Sequence, residues 1–205
     1  LNDTWPVCSW SSLDHGGGWK LLHHMAKAFY APVFVSAVPV GGQIELRAIN
    51  DGAAAVELTV AAMAVAMDGT VRALAKATVS VGPDAAVTAL NLAADLVGVD
   101  EMLAYVWSEG ARPVGGDVFA PRAYKTYDLL PPRLRHQVAA QDGSYAITVS
   151  ARNLALFVAV EADQPGRFSQ NAVALFPGHP ATITFTPATP GAAPHFTLRD
   201  LYSAP

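Results

Sequence analysis

One cysteine, Cys8, stands in 205 residues, so no intrachain disulfide is available and cysteine usage gives no sign of an oxidising compartment. Basic residues are few, 13 against 17 acidic ones, and they form no stripe, which argues against nucleic acid as a partner. Long apolar runs are missing too. The longest, Ala53 to Met67, is interrupted by Glu57 and Thr59 and falls short of the ~20 residues needed to cross a bilayer, so no membrane partner is expected. Glutamate is scarce: Glu45, Glu57, Glu101, Glu109 and Glu161 are the whole supply. The chain opens at Leu1 with neither an initiator methionine nor a basic segment followed by an apolar one. Leu1-Asn2-Asp3-Thr4-Trp5-Pro6 reads as the middle of a longer polypeptide, and a fragment is the expectation; a processed mature N-terminus is the alternative. A cytoplasmic location is favoured, with any targeting signal lying upstream.

What is abundant is apolar side chain, 52% of the total and much of it alanine and valine, enough to bury a core. Composition divides the chain into three zones. The first, residues 1–33, holds Trp5, Trp10 and Trp19 and half of the histidines. After Gly16-Gly17-Gly18, the residues Trp19, Leu22, Ala26 and Phe29 recur at steps of three and four. That predicts a helix with this set on one face, Lys20, His24 and Lys27 mainly on another, and Pro32 as its end. A piece of ~35 residues has no partner layer of its own, so it is expected to lie against the second zone or to have lost its original partners.

The second zone, residues 34–132, reads as strands. Gln43 to Ala48 alternates apolar and polar with period two. Val56 to Met67, Asp68-Gly69 and Val71 to Val81 predict two strands joined by a tight hairpin. Ala86 to Leu92 and Met102 to Trp107 predict two more, and Val118 to Tyr127 is a candidate for another. Pro131-Pro132 marks the boundary to the third zone, residues 133–205, with strands expected at Tyr145–Val149, Ala155–Ala162, Ala172–Phe176, Ala181–Thr186 and His195–Tyr202. Asp142-Gly143, Pro165-Gly166 and Pro177-Gly178 supply the turns. Short strands at this spacing predict an immunoglobulin-like sandwich. The fold class expected is therefore mainly β: two immunoglobulin-like sandwiches preceded by a loop and helix.

Several residues invite chemistry and have a simpler reading. His23 and His24 are adjacent, point about 100° apart on a helix and cannot chelate one ion as an i, i+4 pair can. Cys8, beside Val7 and Trp10, reads as a small packed residue rather than a nucleophile. Gly16-Gly17-Gly18 lacks the Lys-Ser/Thr of a phosphate loop. Trp107 alternates with Tyr105 and Leu103 and reads as core. Asp14, ahead of the glycines, either caps the helix or braces the loop.

The run Leu1-Asn2-Asp3-Thr4-Trp5-Pro6-Val7-Cys8-Ser9-Trp10-Ser11-Ser12-Leu13-Asp14 resembles the end of the catalytic barrel in family 2 glycoside hydrolases of the β-mannosidase type. Gly18 to His23 and Ala26-Lys27-Ala28-Phe29-Tyr30-Ala31-Pro32 resemble the helix that follows it. Pro165-Gly166-Arg167-Phe168-Ser169-Gln170-Asn171 and Leu175-Phe176-Pro177-Gly178 resemble late strands of that family's C-terminal immunoglobulin-like domain, where an aspartate usually stands at the position of Gln170. The resemblance implies that residues 1–33 are the end of a (β/α)8 barrel and that the parent is a retaining β-mannosidase acting on terminal non-reducing β-D-mannose. It implies that Asn2, Asp3 and Trp5 line the sugar pocket, Trp5 offering an apolar face and Asn2 or Asp3 bonding hydroxyls or holding the loop. It also implies that both catalytic glutamates lie on earlier strands, that this chain has no catalytic residue, and that no metal or organic cofactor is needed. The partners implied are the upstream barrel of the same polypeptide and the β-mannoside. Exo-β-glucosaminidase and β-galactosidase are the alternative parents. Two readings of other classes stand beside this one: a carbohydrate-binding accessory module, with Trp107, Tyr124 and Tyr127 as its aromatic platform, and a structural or oligomerisation domain.

Overall fold

The structure, a computed structural model, describes residues 2–7, 9–189, 191 and 193–204. It is mainly β and resolves into two compact units. One comprises 31–132 with 152–154, and the other the residues up to Tyr30, Arg133–Ala151 and the residues from Ala155 onward.

The middle unit is a seven-stranded sandwich. Its strands are β1 (Val33–Val40), β2 (Gln43–Asn50), β3 (Val56–Ala66), β4 (Val71–Val81), β5 (Ala85–Ala93), β6 (Glu101–Glu109) and β7 (Arg112–Phe119). They form one sheet in the order β1-β2-β5 and another in the order β4-β3-β6-β7, with every pairing antiparallel. Alternation in β2 turns Ile44, Leu46 and Ala48 inward, where they meet Leu58, Val60 and Leu103 in a core closed to solvent. The β3–β4 hairpin turns at Asp68-Gly69, as its sequence predicts. Gly69 takes φ +85°, and the Asp68 carboxylate accepts the Thr70 N–H at 2.9 Å.

Two expectations fail here for stated reasons. No strand covers Val118 to Tyr127: the strand is β7, which ends at Phe119, and Tyr124–Thr126 is a 3-10 turn. Pro113, Gly115 and Gly116 disguise β7 as a loop. The two glycines instead make room, since a Cβ on Gly115 would lie 2.2 Å from the Trp107 ring. Trp107 itself is core, packed edge-on to Phe34 and stacked with Tyr105. With Tyr127 also buried, the aromatic platform required by a carbohydrate-binding module does not form at Trp107, Tyr124 and Tyr127.

The other unit holds a second sandwich. Its strands are β8 (Arg135–Gln141), β9 (Ser144–Ser150), β10 (Ala155–Ala162), β11 (Gly166–Phe168), β12 (Val173–Leu175), β13 (Ala181–Pro187) and β14 (Phe196–Arg199). One sheet runs β11-β13-β9-β8 and the other β12-β10-β14. Ile147, Val149, Val158, Val160, Ile183, Phe185 and Phe196 fill the space between them. β10 changes register between Ala155 and Val158, with Phe157 at φ +52°, and its pairing with β12 stops at Val173. Beyond that point the buried Asn171 side chain takes over. Its Oδ1 accepts the Val160 N–H at 2.8 Å and its Nδ2 donates to the Val160 carbonyl at 2.9 Å.

The same unit contains the N-terminal segment and its helix, α1 (Leu21–Phe29). The expectation that this segment lies against the second zone is thus corrected: it belongs with the third. Lys27 Nζ donates to the Ser169 carbonyl at 2.9 Å, and Arg167 lies over the Trp19 ring. The helix also presents a face other than the expected one. His24, from the supposedly polar side, is its buried residue, whereas Leu22 and Phe29 are exposed. Periodicity finds an apolar stripe but cannot say which neighbour covers it.

Candidate functional site

The segment carrying Asn2, Asp3 and Trp5 is stitched into a compact loop by its own backbone. Asn2 bridges Leu13, Leu13 bridges Trp19, and the Asp3 N–H donates to the Leu13 carbonyl at 3.2 Å. Asp3 is the hub of this loop. Its carboxylate is buried and accepts from the Ser9 hydroxyl, from the Ser11 hydroxyl at 2.7 Å and from Lys20 Nζ at 2.9 Å. Lys20 in turn donates to the Ser9 carbonyl and to Ser11 Oγ. Hydrogen bonds from Ser9, Lys20 and Ser11 pull the Asp3 carboxyl down to a pKa of about 2.

That depression has a sign. The native carboxyl titrates below its ordinary value of 3.8, so the charged network stabilises the loop above that pH and is lost as pH falls from about 4 through about 2. Amide protection at residues 3–7 and 9–20, corrected for the intrinsic pH dependence of exchange, is expected to fall across this window and to be lower at neutral pH in Asp3→Asn. Exchange rates in Asp3→Asn equal to those of the unaltered chain would show that the carboxylate holds nothing.

Asn2 and Trp5 face the other way. Both are exposed, Trp5 at 65%, and Trp10 is fully exposed. Of the three residues the sequence offered, Trp5 and Asn2 are exposed, although Asn2 Nδ2 donates to the Asp3 carbonyl at 3.3 Å, and Asp3 is committed to the loop. Asp14 braces the turn: its Oδ1 accepts the Gly18 N–H at 2.7 Å, and Lys20, the residue before α1, makes no side-chain cap. Pro6, Val7, Asp14, His15 and Gly16 line a hollow of about 560 Å³ in which, among the described residues, Asp14 is the single carboxylate.

Four of the five glutamates pair with arginines on the sandwich strands. Glu45 pairs with Arg47 at 2.8 Å, Glu101 with Arg72 at 2.7 Å, Glu161 with Arg199 at 3.1 Å, and Glu109 with Arg112. Glu57 lies on the exposed side of β3. No group of three or more His, Cys, Asp or Glu that could hold a metal occurs among the described residues. Leu1 and Cys8 lie outside the described residues.

The sequence did not point to a second feature of this unit. A cavity of about 680 Å³ lies where Trp19 and His24 meet Gln164, Arg167, Phe168 and Phe185. His23 packs on Trp19, ring centroids 4.3 Å apart, but His24 also lies 5.1 Å from Trp19 and is the more deeply buried of the two. No local pattern could announce this, because the two sides of the cavity come from opposite ends of the chain.

Residues 129–204 match the Ig_mannosidase family, an Ig-fold domain. The C-terminal sandwich is thus similar to that Ig-fold domain over nearly all of its length. The chain is also similar to goat (Capra hircus) β-mannosidase, 54% identical over 41 residues, which is 20% of this chain and 4% of that protein. β-Mannosidase A of Aspergillus niger is 47% identical over 36 residues, 18% of this chain and 4% of that one. Among solved structures, the β-D-mannosidase of Dictyoglomus thermophilum superposes with a TM-score of 0.85 at 18% identity, over 98% of this chain and 25% of that one. The exo-chitosanase of Amycolatopsis orientalis gives 0.76 at 20% identity, over 98% and 29%. The chain thus spans about a quarter of the solved relatives' length. At these identities the superpositions establish the fold, and they extend it beyond the mannosidase Ig-fold domain to nearly all of the chain. The sequence resemblance to the C-terminal region of family 2 glycoside hydrolases of the β-mannosidase type is borne out.

Proposed function

We propose that this chain is the C-terminal, non-catalytic portion of a retaining β-mannosidase that hydrolyses terminal non-reducing β-D-mannose residues. The observation that carries this reading is the 54% identity to a β-mannosidase over 41 residues, in a chain that also matches a mannosidase Ig-fold domain. Residues 1–33 are the end of the catalytic barrel, and residues 34–132 and 133–205 are the sandwiches that support it. Retention requires two carboxyl groups about 5–5.5 Å apart, one as nucleophile and one as acid/base. In this reading both are glutamates of the upstream barrel, the chain's partner within the same polypeptide.

Trp5 and Asn2 form part of the pocket rim. The indole of Trp5 offers an apolar face to the sugar C–H groups, and the amide of Asn2 offers hydrogen bonds to hydroxyls. Asp3 positions them: with its carboxylate engaged by Ser9, Ser11 and Lys20, it holds the loop rather than the sugar. In the longer polypeptide, Trp5→Ala is expected to lower kcat/KM on a β-mannoside about 10–100-fold, or ~1.4–2.7 kcal/mol of transition-state binding. An unchanged kcat/KM removes Trp5 from the rim. Faster turnover of a β-glucosaminide or β-galactoside than of the β-mannoside replaces the proposed substrate.

A further inference from the structure

The 680 Å³ cavity beside α1 has the size of a small-molecule site, with one buried unsatisfied nitrogen in its lining residues and one arginine without a carboxylate partner. His24 is 5% exposed, and its Nδ1 is buried without a hydrogen-bond partner. A buried polar nitrogen left unpaired is costly, and a ligand hydroxyl is one way to complete it. Burial, with His23 and Lys27 adding to it, holds the His24 imidazole below its ordinary pKa, so at neutral pH the ring is uncharged, with one nitrogen to donate and one to accept.

Arg167 lies on the rim and is exposed. Among the described residues no carboxylate pairs with it, and none of the residues lining the cavity is acidic. Its guanidinium rests 5.7 Å from the centre of the Trp19 ring. A cation held against an indole has its plane set, while its N–H edge stays free for an oxyanion. Trp19 and Phe168 add apolar surface to the same cavity.

We propose that this cavity binds a sugar acid: a hydroxylated ring bearing one carboxylate or phosphate. The anion sits on the Arg167 guanidinium, the ring lies against Trp19 and Phe168, and a ring hydroxyl meets Nδ1 of His24. A neutral sugar leaves the guanidinium without a counter-charge. A bare anion leaves His24 and the aromatic wall unused. The site lies wholly within one compact unit and stands whether or not the longer polypeptide is a β-mannosidase.

The test is calorimetric titration of the 205-residue chain at neutral pH with glucuronic acid, glucose 6-phosphate, glucose and inorganic phosphate. At least one of the two acidic sugars is expected to bind with 1:1 stoichiometry, ten times or more tighter than glucose and than inorganic phosphate. The better of the two tells carboxylate from phosphate. Arg167→Ala, at an exposed position, is expected to weaken that binding tenfold or more. Arg167→Lys keeps the charge but loses the two-pronged contact, and recovers only part of it. His24→Phe is expected to weaken the acidic sugars and not inorganic phosphate. No saturable heat from either acidic sugar at ~10 mM overturns the proposal, as do equal binding of glucose, equal binding of inorganic phosphate, or undiminished binding by Arg167→Ala.

Discussion

Incubated with a chromogenic β-mannoside, the 205-residue chain is expected to release chromophore no faster than buffer does. Glycosidic bonds are slow to break, and enzymes close a gap of about 10⁶-fold or more. Closing it with retention takes two carboxyl groups facing each other across a sugar-sized space. Both carboxylates of the N-terminal segment and most of the glutamates are otherwise engaged. Asp3 has accepted three donors, Asp14 is bonded to the Gly18 amide, and four of the five glutamates sit in ion pairs with arginines along the sandwich strands. A depressed carboxyl such as Asp3 is also the wrong acid, because a catalytic proton donor needs a raised pKa. Turnover within about a hundredfold of ordinary enzyme rates, roughly 1–10³ per second, would overturn the assignment of catalysis to an upstream barrel.

Phe185→Ala is expected to destabilise the C-terminal unit by about 3–5 kcal/mol, the range for deleting a buried aromatic ring. Phe185 is 1% exposed and lies at a crossing of rings, 4.8 Å from Phe168 and 5.4 Å from Phe196. The backbone of Gly166 is moulded to it: a Cβ there would stand 2.2 Å from the Phe185 ring, so Gly166→Ala should also destabilise, by overpacking rather than by a void. For a unit of this size each kcal/mol is about 4–8 °C in Tm, so a drop of more than ~12 °C is expected for Phe185→Ala. Near-ultraviolet circular dichroism during heating checks it. A shift below ~4 °C would mean that the ring is not part of the core as described.

The strands that were legible in the sequence are those with one wet and one dry side, or with a hairpin signal between them. β2, β3 and β4 were read nearly to the residue. β8 was not, because every residue of it is exposed and an edge strand with two wet sides has no alternation to detect. β7 was hidden by Pro113, Gly115 and Gly116, residues that usually mean a turn. At the site, the resemblance singled out Asn2, Asp3 and Trp5, but not that Asp3 points inward. Its partners are six, eight and seventeen positions away, in a stretch with no repeating geometry. The cavity at Trp19 and Arg167 is further from reach, since it depends on which sandwich the helix belongs to.

The Asn171 side chain that borders β10 occupies the place of a missing strand residue. One planar amide presents an acceptor and a donor at the spacing of a peptide unit, so Val160 is paired as if the ladder continued. That makes the position exacting in an unusual way. An aspartate has the same outline but can only accept, and would set a negative charge against the Val160 carbonyl. A leucine fills the space and satisfies neither group, and a glutamine carries the right amide one methylene too far. Any side chain lacking either half of this carboxamide therefore leaves a buried backbone group of Val160 without the partner it has here.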